Sequence, residues 1–252
     1  MRSPVHRRAV ATAAVLVSVV APLSACGGSS DTTITVLAAS SLTGTFTDLA
    51  ARFEKDHPGT EVKLAFDSSA TLAQQAAGGA PADVLATADT TTMDSATSAL
   101  ASTPKDFATN VMVLVTPKDN PAGITSFSDL DSGKVTYVVC VDTAPCGKVA
   151  AALLQQDQIT APPASTEIDV KSVLAKVTEG EADAGLVYTT DSVAAGDAVE
   201  TIAIPGTEQQ TTTYPIATLD QSKEPTLAQE FVDLVLSSQG QQVLHDAGFG
   251  AP

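Results

Sequence analysis

Two serines are the first residues of this chain whose placement suggests chemistry. Ser41 and Ser69 each follow a short β-rich segment and open a helical pattern. A helix start presents free N–H groups and partial positive charge, which suit an anion, and a serine there adds a hydroxyl donor. Taken alone, each serine is more simply an N-cap, a position that Ser favours. Cys146-Gly147 and Val170 stand at two further expected helix starts, so several such termini can converge on one cleft. Tyr188 ends an apolar strand pattern and, as a bare residue, reads equally well as a core tyrosine. The chain holds no Gly-x-Ser-x-Gly motif and no histidine in an obvious partnering position, which argues against a serine hydrolase. A Gly-rich phosphate loop is absent too. His57 and His245 lie far apart, with no Cys or carboxylate at ligand spacing, so no site for a metal cation is expected.

The elements that position these residues alternate. Ile34 to Ala38 is a short apolar run that predicts a strand. Leu42, Phe46, Leu49, Ala50 and Phe53 then share one helical face. Glu61 to Phe66 alternates as a second strand, Thr71 to Ala77 predicts a helix ended by Gly78-Gly79, and Asp83 to Ala86 a buried third strand. This order points to a mainly parallel sheet covered by helices, an α/β fold. Further strands are predicted at Val111 to Thr116, Val135 to Val141, Ala184 to Tyr188 and Tyr214 to Thr218. Helices are predicted at Phe127 to Leu130, Gly147 to Gln156, Val170 to Thr178, Leu227 to Leu236 and Gln239 to Asp246. The pattern alone fits two α/β lobes or one large sheet.

The N-terminus has its own logic. Arg2, Arg7 and Arg8 precede an uncharged apolar run from Ala9 to about Pro22, shorter than the ~20 residues of a membrane span. It fits an export signal over residues 1–25. Leu23-Ser24-Ala25-Cys26 resembles a bacterial lipobox, which implies cleavage before Cys26 and lipid on its sulfur, with residues 26–33 as a flexible tether. In an exported protein the remaining cysteines, Cys140 and Cys146, are expected to pair; a redox site is the alternative, but the spacing is not Cys-x-x-Cys.

Composition excludes several partners. Lys and Arg number 13 against 29 Asp and Glu, for a formal charge of −16, and losing Arg2, Arg7 and Arg8 with the signal takes it to −19. Nucleic acid needs basic contacts that such a chain lacks, and anionic lipid would find no basic patch. Trp is absent, which removes the best stacking platform for sugars or bases.

The chain resembles the periplasmic molybdate-binding proteins, the substrate-binding components of ABC importers, through an ordered set of segments. Val36-Leu-Ala-Ala-Ser-Ser-Leu-Thr43 is similar to their first serine motif and Phe66-Asp-Ser-Ser-Ala-Thr-Leu72 to their second. Gly79 to Val84, Ala88-Asp89 and Met93-Asp94 follow, then Ala144-Pro-Cys-Gly147, Gly185-Leu-Val-Tyr188 with Asp191, Tyr214-Pro-Ile-Ala217 and Gly248-Phe249. The resemblance covers Ile34 to Phe249 and implies a two-lobed class II binding-protein fold, with 34–110 plus 212–252 as lobe 1 and 111–211 as lobe 2. It implies oxyanion contacts from Ser41 and Ser69 in the first lobe, and from the backbone N–H groups of Cys146 and Val170 and the hydroxyl of Tyr188 in the second. Cys146 occupies a position that is usually small and apolar in the family, so a disulfide there either preorganises the loop or shifts its donor. Asp67 and Asp169 flank proposed contacts and are expected to point away or cap their helices. The expected protein is therefore a monomeric, lipid-anchored, extracytoplasmic protein that is not an enzyme. It needs no cofactor and carries molybdate or tungstate to an ABC permease. The alternatives are a binding protein for sulfate, phosphate or an organic anion, a serine-dependent hydrolase, and a surface interaction module. Ferric iron would want a cluster of Tyr, His and carboxylates, and Tyr137, Tyr188 and Tyr214 are the only tyrosines.

Overall fold

The computed structural model of the protein describes residues 32–252; the expected signal segment and Cys26 lie outside them. In chain order the first elements are β1 (Thr32–Ala39), α1 (Thr43–Asp56), β2 (Thr60–Asp67), α2 (Ser69–Ala77), β3 (Val84–Ala86), α3 (Thr90–Ser95) and β4 (Lys105–Asn110). Next come β5 (Met112–Pro117), β6 (Tyr137–Cys140), α4 (Pro145–Gln156), β7 (Ser165–Glu167), α5 (Val170–Thr178), β8 (Ala184–Tyr188), α6 (Thr189–Ala195) and β9 (Val199–Ile202). The chain ends with β10 (Thr212–Thr218), α7 (Pro225–Leu236) and α8 (Ser238–Asp246).

Two five-stranded sheets form, in the orders β2-β1-β3-β10-β4 and β7-β6-β8-β5-β9. Each follows one plan. Three strands run parallel, joined by crossover helices; a fourth pairs antiparallel to them and a fifth pairs antiparallel to the fourth. The α/β expectation is therefore met by two mixed sheets rather than one large one. Strand β10 returns from the far end of the chain to lie between β3 and β4. The chain thus passes between the sheets twice, once through Val111 alone and once between Ile202 and Thr212.

The first sheet is sandwiched. Ile34 and Val36 of β1 face one layer built by Phe46, Leu49 and Phe53 of α1 with Phe231 and Val235 of α7. Leu37 turns to the other face, against Leu72 and Ala76 of α2 and Met93 of α3. This is the period-2 alternation of a strand feeding two helix layers. Phe46, Phe53, Phe107 and Phe231 meet at centroid distances of 5.6 to 5.9 Å, mostly edge-on, as the ring quadrupoles favour. In the second half, Val138, Leu114, Leu186, Val173 and Leu153 lie in one core between its sheet and helices α4 and α5. Tyr137 sits there too, and its hydroxyl donates to Ala161 O at 2.6 Å.

Candidate functional site

The carboxyl ends of the parallel strands in both sheets empty into one place. Crevices at such strand ends are where open α/β sheets take their ligands, because crossover connections diverge there and helix N-termini point inward. A small cavity lies at this junction. From the first sheet it is lined by Ala39, Ser40 and Ser41 after β1, Ser68 and Ser69 after β2, and Ala88 beyond β3. From the second come Pro145 and Cys146 at the start of α4, Asp169 and Val170 at the start of α5, and Tyr188 at the end of β8. All five residues singled out in the sequence, Ser41, Ser69, Cys146, Val170 and Tyr188, thus line the same cavity, and all five are buried.

Neither serine is the simple helix cap that its position suggests. Ser41 lies in a short 3-10 turn, Ser40–Leu42, ahead of α1, and its hydroxyl shares a 3.0 Å hydrogen bond with the Tyr214 hydroxyl. Ser69 is the first residue of α2, and its Oγ accepts from Ala88 N at 3.0 Å. That bond occupies a lone pair and leaves the Ser69 proton free to be donated. The first turns of α2 and α4 receive no side-chain cap, so N–H groups at Ser69 and Cys146 keep their donor capacity toward the cavity. At α5 the cap is Asp169, whose carboxylate accepts from Ser172 N at 2.9 Å and leaves the earlier N–H of Val170 open. Asp169 caps as expected, although it also lines the cavity. Asp67 turns its carboxylate to Ser68 N at 2.6 Å and is not among the lining residues.

Tyr188 supplies the most informative atom. Its hydroxyl is fully buried and finds no partner at good hydrogen-bond geometry among the described residues, with only a weak interaction from Thr212. Leaving such a group unpaired costs about 1–3 kcal/mol, which an acceptor entering the cavity would recover. Burial pushes its phenol well above the usual range, and the nearby Tyr214, Asp191 and Asp89 push in the same direction. The Tyr214 phenol is likewise raised by burial, against the opposing bond from Ser41. Both hydroxyls therefore stay neutral donors across the physiological pH range. Behind them Asp191 accepts from Tyr188 N at 3.2 Å and pairs with Lys171 at 2.9 Å. Burial raises the Asp191 carboxyl, and Lys171 works against that rise.

The sulfurs of Cys140 and Cys146 lie at bonding distance, with their Cα atoms 5.7 Å apart. The link ties the end of β6 to the first turn of α4, the same turn that reaches the cavity. Tyr214, Ala88 and Asp169 belong to the site and were not singled out as contacts in the sequence. Tyr214 and Ala88 fall within motifs already quoted, but their roles depend on partners 173 and 19 residues away. No Lys, Arg or His lines the cavity among the described residues. His57 closes α1, stacked on Phe53 and bonded to Glu230, while His245 is exposed on α8.

The chain is similar to known proteins in sequence and in fold. Residues 34–250 match the family described as bacterial extracellular solute-binding protein. The molybdate-binding protein ModA of Mycobacterium tuberculosis is 38% identical over 256 residues, covering 96% of this chain and 98% of that protein. A solved substrate-binding domain of a putative molybdenum ABC transporter from Clostridium difficile shares 28% identity at a TM-score of 0.66, over 88% of this chain and 99% of that one. The periplasmic molybdate-binding protein of Azotobacter vinelandii superposes with a TM-score of 0.77 at 21% identity, over 87% of this chain and 99% of that one, which speaks to the fold alone.

Proposed function

We propose, from the premise that the chain belongs to the bacterial extracellular solute-binding protein family, that its cavity captures a tetrahedral oxyanion, molybdate or tungstate, for delivery to an ABC importer. The observation that carries this reading is the Tyr188 hydroxyl, buried without a partner against a cavity otherwise walled by helix starts and serines. Such a cavity offers donors and no countercharge. A dianion accepts at every oxygen, so it can satisfy the Ser41, Ser69 and Tyr188 hydroxyls and the N–H groups of Cys146 and Val170 together. Fixed donors also select by radius, because a smaller sulfate cannot meet all of them at good hydrogen-bond length. The acidity of the whole chain is no obstacle, since exposed charges are screened within ~8 Å at physiological salt while the donors touch the ion. The relatives named above for molybdate support the choice of ion. A hydrolase reading has no histidine to work with in the cavity, and the family is one of binding proteins.

Calorimetry tests this directly. Saturable one-to-one heat is expected with molybdate and tungstate, and weak or no heat with sulfate and phosphate. In the same assay Tyr188→Phe is expected to bind molybdate about ten-fold more weakly, since a hydrogen bond to a charged group contributes roughly 1.5–3 kcal/mol. Its ligand-free melting temperature should hold or rise, because the variant removes an unsatisfied buried hydroxyl. Absence of heat with both metal oxyanions overturns the proposal; a Tyr188→Phe variant of full affinity overturns the role of that hydroxyl.

The same reading extends to the chain's setting. We infer lobes at 34–110 plus 212–252 and at 111–211, an oxidised Cys140–Cys146 bond, and a monomer held outside the cytoplasm by lipid on Cys26. The lipobox-like Leu23-Ser24-Ala25-Cys26 supports the anchor. Among the described residues no helix is long and apolar enough to cross a membrane. Expressed in a bacterium, the parent chain should partition into the detergent phase and Cys26→Ser into the aqueous phase; equal partition of the two would refute the anchor.

A further inference from the structure

The cavity is shut. Ser41, Ser69, Cys146, Val170 and Tyr188 are only 1 to 7% exposed, so an ion reaches them only if the two lobes part. The two chain crossings, Val111 and the segment between Ile202 and Thr212, are the covalent links across which parting can occur. What holds the lobes together is then a question about contacts across the cleft. Among the described residues, one ion pair joins them: Lys148 Nζ to Asp89 Oδ2 at 2.9 Å. The others, from His57–Glu230 to Lys171–Asp191, each stay within one lobe.

The placement of the pair is specific. Lys148 stands in the first turn of α4, two residues beyond Cys146, and Asp89 directly follows Ala88. Each partner is thus attached to a wall of the cavity, one from each lobe. Lys148 also donates to Thr92 Oγ1 at 3.4 Å. Asp89 is held in turn, because its other oxygen caps α3 by accepting from Thr92 N at 2.5 Å. With side-chain exposures of 40% and 17%, the pair sits at a rim that is partly withdrawn from water. There an ion pair is screened less than on an open surface.

We propose that Lys148 and Asp89 form a latch that keeps the lobes closed over the bound ion, which makes Lys148 a positioning residue that sets how slowly the ion leaves. The inference rests on the oxyanion reading above. A rival role for Lys148 is simple attraction of the anion, and the two roles predict opposite signs at its partner. If Lys148 only attracts, removing the Asp89 charge strengthens its pull and slows release. If the pair is a latch, removing either charge speeds release.

The test is a chase of radiolabelled molybdate from the chain beginning at Gly27, freed of the anchor, with excess unlabelled ion. Lys148→Met and Asp89→Asn are each expected to raise the dissociation rate by about three- to ten-fold, the scale of losing one partly buried charged contact. Asn keeps an oxygen able to cap α3. The association rate should change little, the double variant should be no worse than either single one, and Lys148→Arg should restore slow release. An unchanged rate in Lys148→Met, or slower release in Asp89→Asn, overturns the latch while leaving the site intact. Failure of the parent protein to retain label at all strikes the oxyanion reading, and the latch falls with it.

Discussion

The double variant Ser41→Ala, Ser69→Ala is expected to bind molybdate at least about a hundred-fold more weakly than the parent, since each hydroxyl given to a charged ligand contributes roughly 1.5–3 kcal/mol. The two serines follow adjacent strands, β1 and β2, and share one ligand, so the combined loss should exceed either single loss without being their strict sum. Each reaches the ligand with a proton to give. Ser69 Oγ already accepts from Ala88 N, and Ser41 Oγ can accept from Tyr214, whose own proton then has a place to go. The variant also leaves Ala88 N and the Tyr214 hydroxyl short of a partner, so a fall in melting temperature is expected too. Calorimetry well below that temperature, with circular dichroism to show a folded chain, separates the two effects. A folded double variant with the parent's affinity would remove both serines from the site.

Much of this arrangement was legible in the sequence, for a definable reason. Strands that lie inside a sheet must be apolar, and β1, β3, β5, β6, β8 and β10 all announced themselves that way. The strands that escaped, β4, β7 and β9, are all at sheet edges. There Lys105-Asp106, Ser165-Thr166 and Glu200-Thr201 face water, and no apolar run is required. Helices α3 and α6 escaped because six and seven residues are too few to show a period. The position of β10 between β3 and β4 could not be read from alternation at all, since pairing partners far apart in sequence leave no local mark.

The site divides along the same line. Ser41, Ser69, Cys146 and Val170 were visible because strand ends and helix starts are local features, and the crevice of an α/β sheet collects them. What each serine does was not visible. Propensity favours a cap, but the structure turns both hydroxyls to distant partners instead, Tyr214 and Ala88. The charge pair at the rim left no local mark, because Asp89 gains its partner only when Lys148, 59 residues away, is placed beside it.

Gly147→Ala is expected to damage the second wall of the cavity. A Cβ at Gly147 would lie 1.9 Å from Val141 O, 2.5 Å from Val141 C and 2.9 Å from Cys140 O. These are backbone atoms at the end of β6, so no side chain can swing aside. The helix itself must move away from the strand, and the Cys140–Cys146 link bridges the same two segments and resists that motion. Overpacking of this kind costs about 3 kcal/mol, or roughly a 6–12 °C fall in melting temperature for a chain of this size. Whatever movement relieves the clash also carries the Cys146 N–H with it, and hydrogen bonds weaken steeply with misalignment. Molybdate affinity should therefore fall more than about ten-fold even where the variant remains folded. Gly44→Ala in α1 is the control, because its Cβ would meet nothing within 4 Å and Ala is the better helix former. If Gly147→Ala melts and binds like the parent, α4 does not approach β6 as closely as described, and the Cys146 N–H loses its claim to the ligand.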